Sequence, residues 1–259
     1  MCVKIYFGCL YAGMVIVPTN PSLNKQEIQH IILHSLSKCV IINHDTNQKI
    51  DNKKMNKKGI LILDFNESKD SQVNLKCNED NLEISQDFIP FDDTVEDDDL
   101  CIVYSAGTTG DPKALVHSIK DLVMNAQEFG KLFAIDNKSI FCNMLSLTYL
   151  GGFYNLLILP YVLNSSVVLT QAFDPKLSLN FWEAIIKNNV NTLWLVPSIM
   201  SILLEMDRSV DGKKYCKKNI RLALVGTAPL PIQLRRDFEK QYHIKICENY
   251  GLSETLFIS

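Results

Sequence analysis

Leu100-Cys-Ile-Val-Tyr-Ser105 runs without a break into Ala106-Gly-Thr-Thr-Gly-Asp-Pro-Lys113, and the reading of the fold turns on this stretch. Its first half is a short apolar run rich in strand formers, and its second half is built from turn and loop residues. Gly107 and Gly110 let the backbone turn tightly and approach a ligand closely, while Ser105, Thr108 and Thr109 supply hydroxyl donors. Oriented amides and hydroxyls of this kind form anion-binding concavities, and Lys113 adds a positive charge suited to a polyphosphate. The pattern is not a Walker A loop, because G-x-x-x-x-G-K-[ST] is absent. Glycines and threonines alone would equally serve a plain connection. The complete ordered string ending in Pro112-Lys113 favours the phosphate reading.

Downstream, apolar periodicity predicts a helix over 119–132, a helix over 180–188 and a strand over 192–196. Pro197 suits the first turn of a helix reaching residue 205. A strand over 220–225, a helix over 231–242 and a strand over 244–249 complete the series. Alternating strands and helices define an α/β fold with a largely parallel sheet covered by helices. Upstream, Asn24 and Glu27 make a capping-box-like helix start, followed by Ile28, Ile31, Ile32 and Leu36 at helical spacing. Strands are expected over 39–43 and 60–64, with an exposed loop over 44–58 between them. Residues 66–99 are polar and end in Glu96-Asp-Asp-Asp99, read as a solvated acidic loop in preference to a metal site. This shift in texture divides the chain into a first α/β part, 1–95, and a nucleotide-binding α/β part, 96–259.

Composition excludes several classes of function. Apolar residues make up 47% and charged residues 21%, and the net charge is −3, so disorder and a nucleic-acid partner are not expected. The eight cysteines are Cys2, Cys9, Cys39, Cys77, Cys101, Cys142, Cys216 and Cys247. None forms a C-x-x-C pair, and they read as small core residues of a reducing compartment. His30 and His34 stand at i, i+4 but lack an evident third ligand. The long uncharged stretch 139–173 is interrupted by Asn143, Gly151-Gly152, Asn155, Pro160 and Asn164. It reads as a buried helix and then a buried strand, 167–170, not as a membrane span. The start of the chain lacks a secretory pattern, so a cytoplasmic location is expected.

Three more segments carry chemistry. Val225-Gly-Thr-Ala-Pro-Leu230 is a strand-to-helix turn of small residues, Tyr250-Gly-Leu-Ser-Glu254 follows a strand, and Leu145-Ser-Leu-Thr-Tyr-Leu-Gly-Gly-Phe153 opens an apolar run. With the loop at 104–113 they resemble, in order and spacing, the motifs of the adenylate-forming superfamily, of the acyl-CoA synthetase type. The first motif there reads roughly [ST]-[SG]-G-[ST]-T-G-x-P-K-G; Ala106 and Ala114 depart from it, and Leu115-Val-His-Ser118 also looks like that branch. Tyr11-Ala-Gly-Met-Val-Ile-Val-Pro-Thr-Asn-Pro21 is similar to an upstream element of the family.

The resemblance implies ATP, Mg²⁺ and CoA as cofactor and co-substrates, and a small-molecule carboxylic acid as substrate. It places Ser105, Gly107, Thr108, Thr109, Gly110 and Lys113 on the phosphates, and Gly226, Thr227 and Ala228 beside the adenine. Tyr250 would lie against the base, with Gly251 next to it. Ser253 would bond the α-phosphate and Glu254 would hold Mg²⁺. Lys113, Thr109 and Glu254 are the implied catalytic groups, and Tyr149, Gly226 and Gly251 line the implied acyl pocket, although core packing suits Tyr149 as well. Family enzymes are much longer. The resemblance therefore implies an incomplete large N-terminal domain, without the C-terminal catalytic domain that a separate chain could carry, and weak activity when alone. A nucleotide- or acyl-binding remnant, or an adenylation module serving a carrier protein, are alternative readings.

Overall fold

The opening residues form α1 (Cys2–Tyr11), followed by α2 (Lys25–His34), which begins where the capping residues predict. Asn24 accepts from the Glu27 amide at 3.0 Å and Glu27 accepts from the Asn24 amide at 2.8 Å, so two otherwise orphaned donors are satisfied. Ile28, Ile31 and Ile32 are buried as the periodicity requires. Leu36 departs from that pattern. The helix stops at His34, and Leu36 takes a left-handed backbone (φ 55°) that turns its side chain out, leaving it 77% exposed. The structure, a computed structural model, describes residues 2–67, 73–77, 91–105 and 112–259.

β1 (Cys39–Asn43) matches its expected bounds, but the supposed loop after it contains α3 (His44–Asn47) and α4 (Asn52–Lys57). Asn43 and Asp51 cap these short helices, and Met55 is fully buried beneath them. β2 (Leu61–Glu67) pairs parallel with β1, and β3 (Val73–Cys77), which the polar sequence does not suggest, pairs antiparallel with β2. Ile28, Ile32, Ile42, Ile50, Met55, Ile60 and Ile62 form one core cluster over this sheet. Each such side chain stabilises by about 2 kcal/mol on burial. β4 (Asp99–Ser105) pairs with β5 (Lys113–Ser118), and Ile16 bridges to Cys101 alongside. Residues Met1–Val95 and Asp99–Val116 form one compact unit; Glu96–Asp98 and His117–Ser259 form a second.

The second unit opens with α5 (Ile119–Phe133), whose N-cap Ser118 accepts from the Asp121 amide at 3.1 Å. The acidic run is exposed at Glu96, Asp97 and Asp98. It serves this helix, since the Asp98 and Glu96 carbonyls accept from the Ile119 and Lys120 amides. The uncharged stretch begins with an unforeseen strand, β6 (Ile140–Asn143), before its expected buried helix. That helix is a π-helix (Gly151–Ile158) continued by α6 (Leu159–Val162). A π-helix widens the backbone ladder. Buried Asn143 meets two of its carbonyls, donating to Gly152 at 3.1 Å and Leu156 at 3.3 Å. Among the described residues no helix is long and apolar enough to cross a membrane.

β7 (Ser166–Leu169) follows, then a 3₁₀ turn (Pro175–Asn180), α7 (Phe181–Lys187), β8 (Thr192–Leu195), α8 (Pro197–Met206) and α9 (Val210–Asn219). β9 (Leu222–Val225), α10 (Ile232–Tyr242), β10 (Cys247–Glu248), β11 (Gly251–Leu252) and β12 (Leu256–Phe257) end the unit. Strands β10-β9-β8-β6-β7 make one parallel sheet in that order. The strand expected as buried at 167–170 is therefore an edge strand, with Leu169 53% exposed. The strand expected over 244–249 shrinks to two residues for a different reason. The Ile246 amide donates to Glu239 at 2.8 Å and its carbonyl accepts from Arg235 at 2.9 Å, so side chains of α10 replace the ladder there. The Ile246 amide, with Arg235 behind it, holds the Glu239 carboxyl below its usual range.

Cys2, Cys9, Cys39, Cys101, Cys142, Cys216 and Cys247 are free thiols, with Cys101, Cys142 and Cys216 buried. Burial first, and the nearby carboxylates of Asp99 and Asp207 second, push the Cys101 and Cys216 thiols from 9.0 up to about 12. Between those values the folded state holds protons that the unfolded chain has released. Stability is therefore full below about pH 9 and falls as pH rises toward 12. Urea unfolding midpoints across that window check this; a flat profile would contradict it.

Candidate active site

Strand β9 of the parallel sheet runs into a buried glycine, Gly226, and a turn that leads to α10. A side chain at Gly226 would strike the Asn249 amide group. That amide belongs in place, because Asn249 donates to the Val225 carbonyl from both its backbone (2.8 Å) and Nδ2 (3.0 Å). Thr227 then takes φ 71°, an unusual conformation for a β-branched residue, and is exposed. Backbone strain of this kind costs about 1–3 kcal/mol and is characteristic of ligand-facing turns.

Next to this turn β11 and β12 form a hairpin with Ser253 and Glu254 at its tip. Gly251 sits opposite Phe257, and a side chain there would meet the Leu256 carbonyl. The base of the hairpin is closed by Tyr250, whose amide donates to Ser259 at 2.6 Å and whose carbonyl accepts from Ile258 at 2.9 Å. Phe257 anchors it in an aromatic cluster, 4.1 Å from Phe129, 5.2 Å from Tyr154 and 5.3 Å from Trp194 between ring centroids. The third wall is the start of the π-helix. The Tyr149 ring lies against Gly151, and partial burial of the side chain, 38% exposed overall, pushes the phenol above its ordinary value, so it stays a neutral donor.

These elements enclose a pocket of about 240 Å³, lined by Tyr149, Asn155, Thr227, Asn249, Gly251 and Ser253 among others. Four residues singled out in the sequence, from segments up to 104 positions apart, thus meet at one cavity: Tyr149, Thr227, Gly251 and Ser253. Gly226 is buried behind the wall, Ala228 is exposed beyond it, Tyr250 is 57% exposed, and the Glu254 carboxylate is exposed at the tip. Ser105 ends β4 and Lys113 begins β5, the latter exposed, both in the first unit. Gly107, Thr108, Thr109 and Gly110 lie outside the described residues.

Sequence reasoning missed Asn155, Asn249 and His117 as neighbours of this site. His117 is buried and sets its Nε2 2.8 Å from the Ser253 carbonyl, across 136 residues of chain. As for metal, no group of three or more His, Cys, Asp or Glu able to hold an ion occurs among the described residues. A single exposed carboxylate such as Glu254 fits Mg²⁺ of the kind that takes one or two protein oxygens and completes its shell from phosphates and water. His30 and His34 stack on each other at 5.3 Å, and His34 Nδ1 lies 2.9 Å from the Tyr104 hydroxyl.

A parallel sheet whose strand ends carry a strained small-residue turn and a hairpin is an arrangement on which α/β proteins build ligand sites. The family model described as AMP-binding enzyme matches residues 2–259, and the chain belongs to that family. It is 23% identical over 254 residues to sulfoacetate–CoA ligase of Cupriavidus necator, covering 97% of this chain and 47% of the relative. It is also 23% identical over 266 residues to malonate–CoA ligase of Arabidopsis thaliana, covering 95% and 42%. ATP-bound MatB from Rhodopseudomonas palustris has the same fold, with a TM-score of 0.80 at 21% identity over 99% of this chain and 48% of that one. The chain spans about half the length of these curated relatives.

Proposed function

We propose that this chain takes part in activating a carboxylic acid with ATP, giving an acyl-adenylate for transfer to coenzyme A. The observation that carries the proposal is the meeting of Tyr149, Thr227, Gly251 and Ser253 around one pocket of the parallel-sheet unit. Adenine would rest against the exposed ring of Tyr250 beside the Gly226–Ala228 turn, as a flat base does on an aromatic face. The acid would occupy the pocket near Tyr149, whose neutral hydroxyl is able to orient it by donating a hydrogen bond.

The reaction is an in-line displacement. A carboxylate oxygen attacks the α-phosphorus, the bond to the bridging oxygen breaks, and pyrophosphate leaves with the electron pair. Negative charge spreads over phosphate oxygens, so the chain acts by positioning and electrostatics. In this reading Ser253 donates its hydroxyl to an α-phosphate oxygen, while Lys113, Thr108 and Thr109 neutralise and hold the outer phosphates. Glu254 would hold Mg²⁺, which supplies charge neutralisation to the phosphates. The division at 95/96, with the following part as the nucleotide-binding subdomain, belongs to the same proposal as a functional boundary, since by packing Asp99–Val116 goes with the first unit. Because the chain spans about half of its relatives, the whole reaction is assigned to it together with whatever supplies the other half, in the same or a separate chain.

ATP at a hundred times its dissociation constant should stabilise the fold by about 2.7 kcal/mol. Lys113→Ala removes a charged donor worth roughly 1.5–3 kcal/mol and should abolish most of that gain in a thermal melt. Equal stabilisation of the variant by ATP would remove Lys113 from the phosphate site.

A further inference from the structure

Ser253 and Glu254 stand at a hairpin tip, where two short strands alone leave side-chain direction loosely fixed. The tip is nevertheless tied down from behind. The Ser253 carbonyl can only accept, so the atom 2.8 Å away, Nε2 of His117, must carry the proton and donate it. His117 is 5% exposed and is the fifth residue of β5. Its backbone is fixed by the start of α5, where Ser118 caps the helix and the next two amides donate to Asp98 and Glu96.

The same helix grips the base of the hairpin. Asn125 donates to the Phe257 carbonyl at 2.9 Å and accepts from the Phe257 amide at 3.2 Å. The Tyr154 hydroxyl shares its proton between Asn125 Oδ1 at 2.9 Å and the Leu122 carbonyl at 3.0 Å, which supports that orientation of the amide. Asn125 and Phe257 therefore define where the hairpin sits, and His117 defines how its tip is rotated.

We propose that His117 is a positioning residue for ATP–Mg²⁺ binding. Its Nε2–H holds the Ser253 carbonyl so that the Ser253 hydroxyl and the adjacent Glu254 carboxylate face the phosphates and the metal. His117 itself touches neither. The inference rests on the roles proposed for Ser253 and Glu254, and it adds a residue from outside the Tyr250–Glu254 motif. A support of this type typically changes metal affinity about 10–100-fold when lost.

The test is calorimetric titration of the full chain with ATP, with and without Mg²⁺, for wild type, His117→Leu, His117→Gln and Glu254→Gln. His117→Leu keeps the volume and loses the donor, and should weaken ATP binding about tenfold with Mg²⁺ and clearly less without it, where only the Ser253 hydroxyl contact is lost. His117→Gln keeps an N–H and should stay close to wild type. A purely structural role would lower both affinities in step with the melting temperature. Wild-type Mg²⁺ dependence in His117→Leu, or a loss in His117→Gln as deep as in His117→Leu, would overturn the proposal.

Glu254→Gln separates the two levels. If it alone keeps the wild-type Mg²⁺ response, the underlying assignment of the site fails; if it loses the response and His117→Leu keeps it, only the positioning role fails. Imidazole ¹⁵N spectra of the unaltered protein provide a check that needs no variant. Protonation at Nε2 of His117 is expected, and an Nδ1-protonated ring would contradict the bond.

Discussion

Replacing Asp207 by alanine should destabilise the fold by about 4 kcal/mol, enough to abolish most of the stability of an ordinary domain. Asp207 is 1% exposed at the C-terminus of α8, and three donors converge on its carboxylate. Oδ2 accepts from Trp182 Nε1 at 2.8 Å and from the Tyr242 hydroxyl at 2.7 Å, while Oδ1 accepts from the Ser209 amide at 2.8 Å. Alanine would leave the buried Trp182 indole N–H without this partner, the Tyr242 hydroxyl with only the Leu203 carbonyl at 3.4 Å, and the part-buried Ser209 amide without its carboxylate, each loss costing about 1–3 kcal/mol. The knot joins α7, α8, α10 and the start of α9, and Gly212 lies directly against the Trp182 ring. Loss should therefore loosen the whole helical face. Asp207→Asn keeps the shape and one accepting oxygen, and should lose roughly half as much. Urea unfolding measures both variants; a loss under about 1 kcal/mol for alanine would show that the carboxylate is not holding these helices together.

Much of the architecture was legible because burial and periodicity coincide in it. The capping pair Asn24 and Glu27, the strand at Cys39–Asn43 and the helix beginning at Pro197 are all written locally. Elements without an apolar stripe were not legible. The helix Val210–Asn219 buries only Gly212 and Cys216, and the helices at His44–Asn47 and Asn52–Lys57 are short, polar and held by asparagine and aspartate caps. The strand at 244–249 misled for the opposite reason. Ile244 and Ile246 are buried as a strand pattern implies, but Glu239 and Arg235 take the backbone of Ile246.

The candidate site was legible as motifs and not as a network. Tyr149, Thr227, Gly251 and Ser253 could be named from the string of residues. The groups that hold them could not. Asn143 under the π-helix, Asn125 on Phe257 and His117 on Ser253 act across 9 to 136 residues. Such partners leave no periodic or spaced signal, since a single side chain reaching a carbonyl can come from anywhere in the fold. Asn143 does carry a trace, as a polar residue in an otherwise apolar stretch that needs a buried partner.

Glu254 bears the second large effect, and it bears it through charge. Its carboxylate is exposed at the hairpin tip, free to meet a hard cation brought in on phosphates. Glu254→Gln keeps size and hydrogen-bonding capacity but removes the charge that a divalent ion requires. Interactions with charged groups are worth about 1.5–3 kcal/mol, which corresponds to roughly 10–100-fold in affinity. The measurement is the ratio of ATP affinities with and without Mg²⁺, taken by calorimetry on the chain and on Glu254→Gln. A phosphate site built around Ser253 and Glu254 predicts that Mg²⁺ tightens ATP binding at least about tenfold in the wild type and has little effect in the variant. An unchanged Mg²⁺ dependence in Glu254→Gln would contradict it.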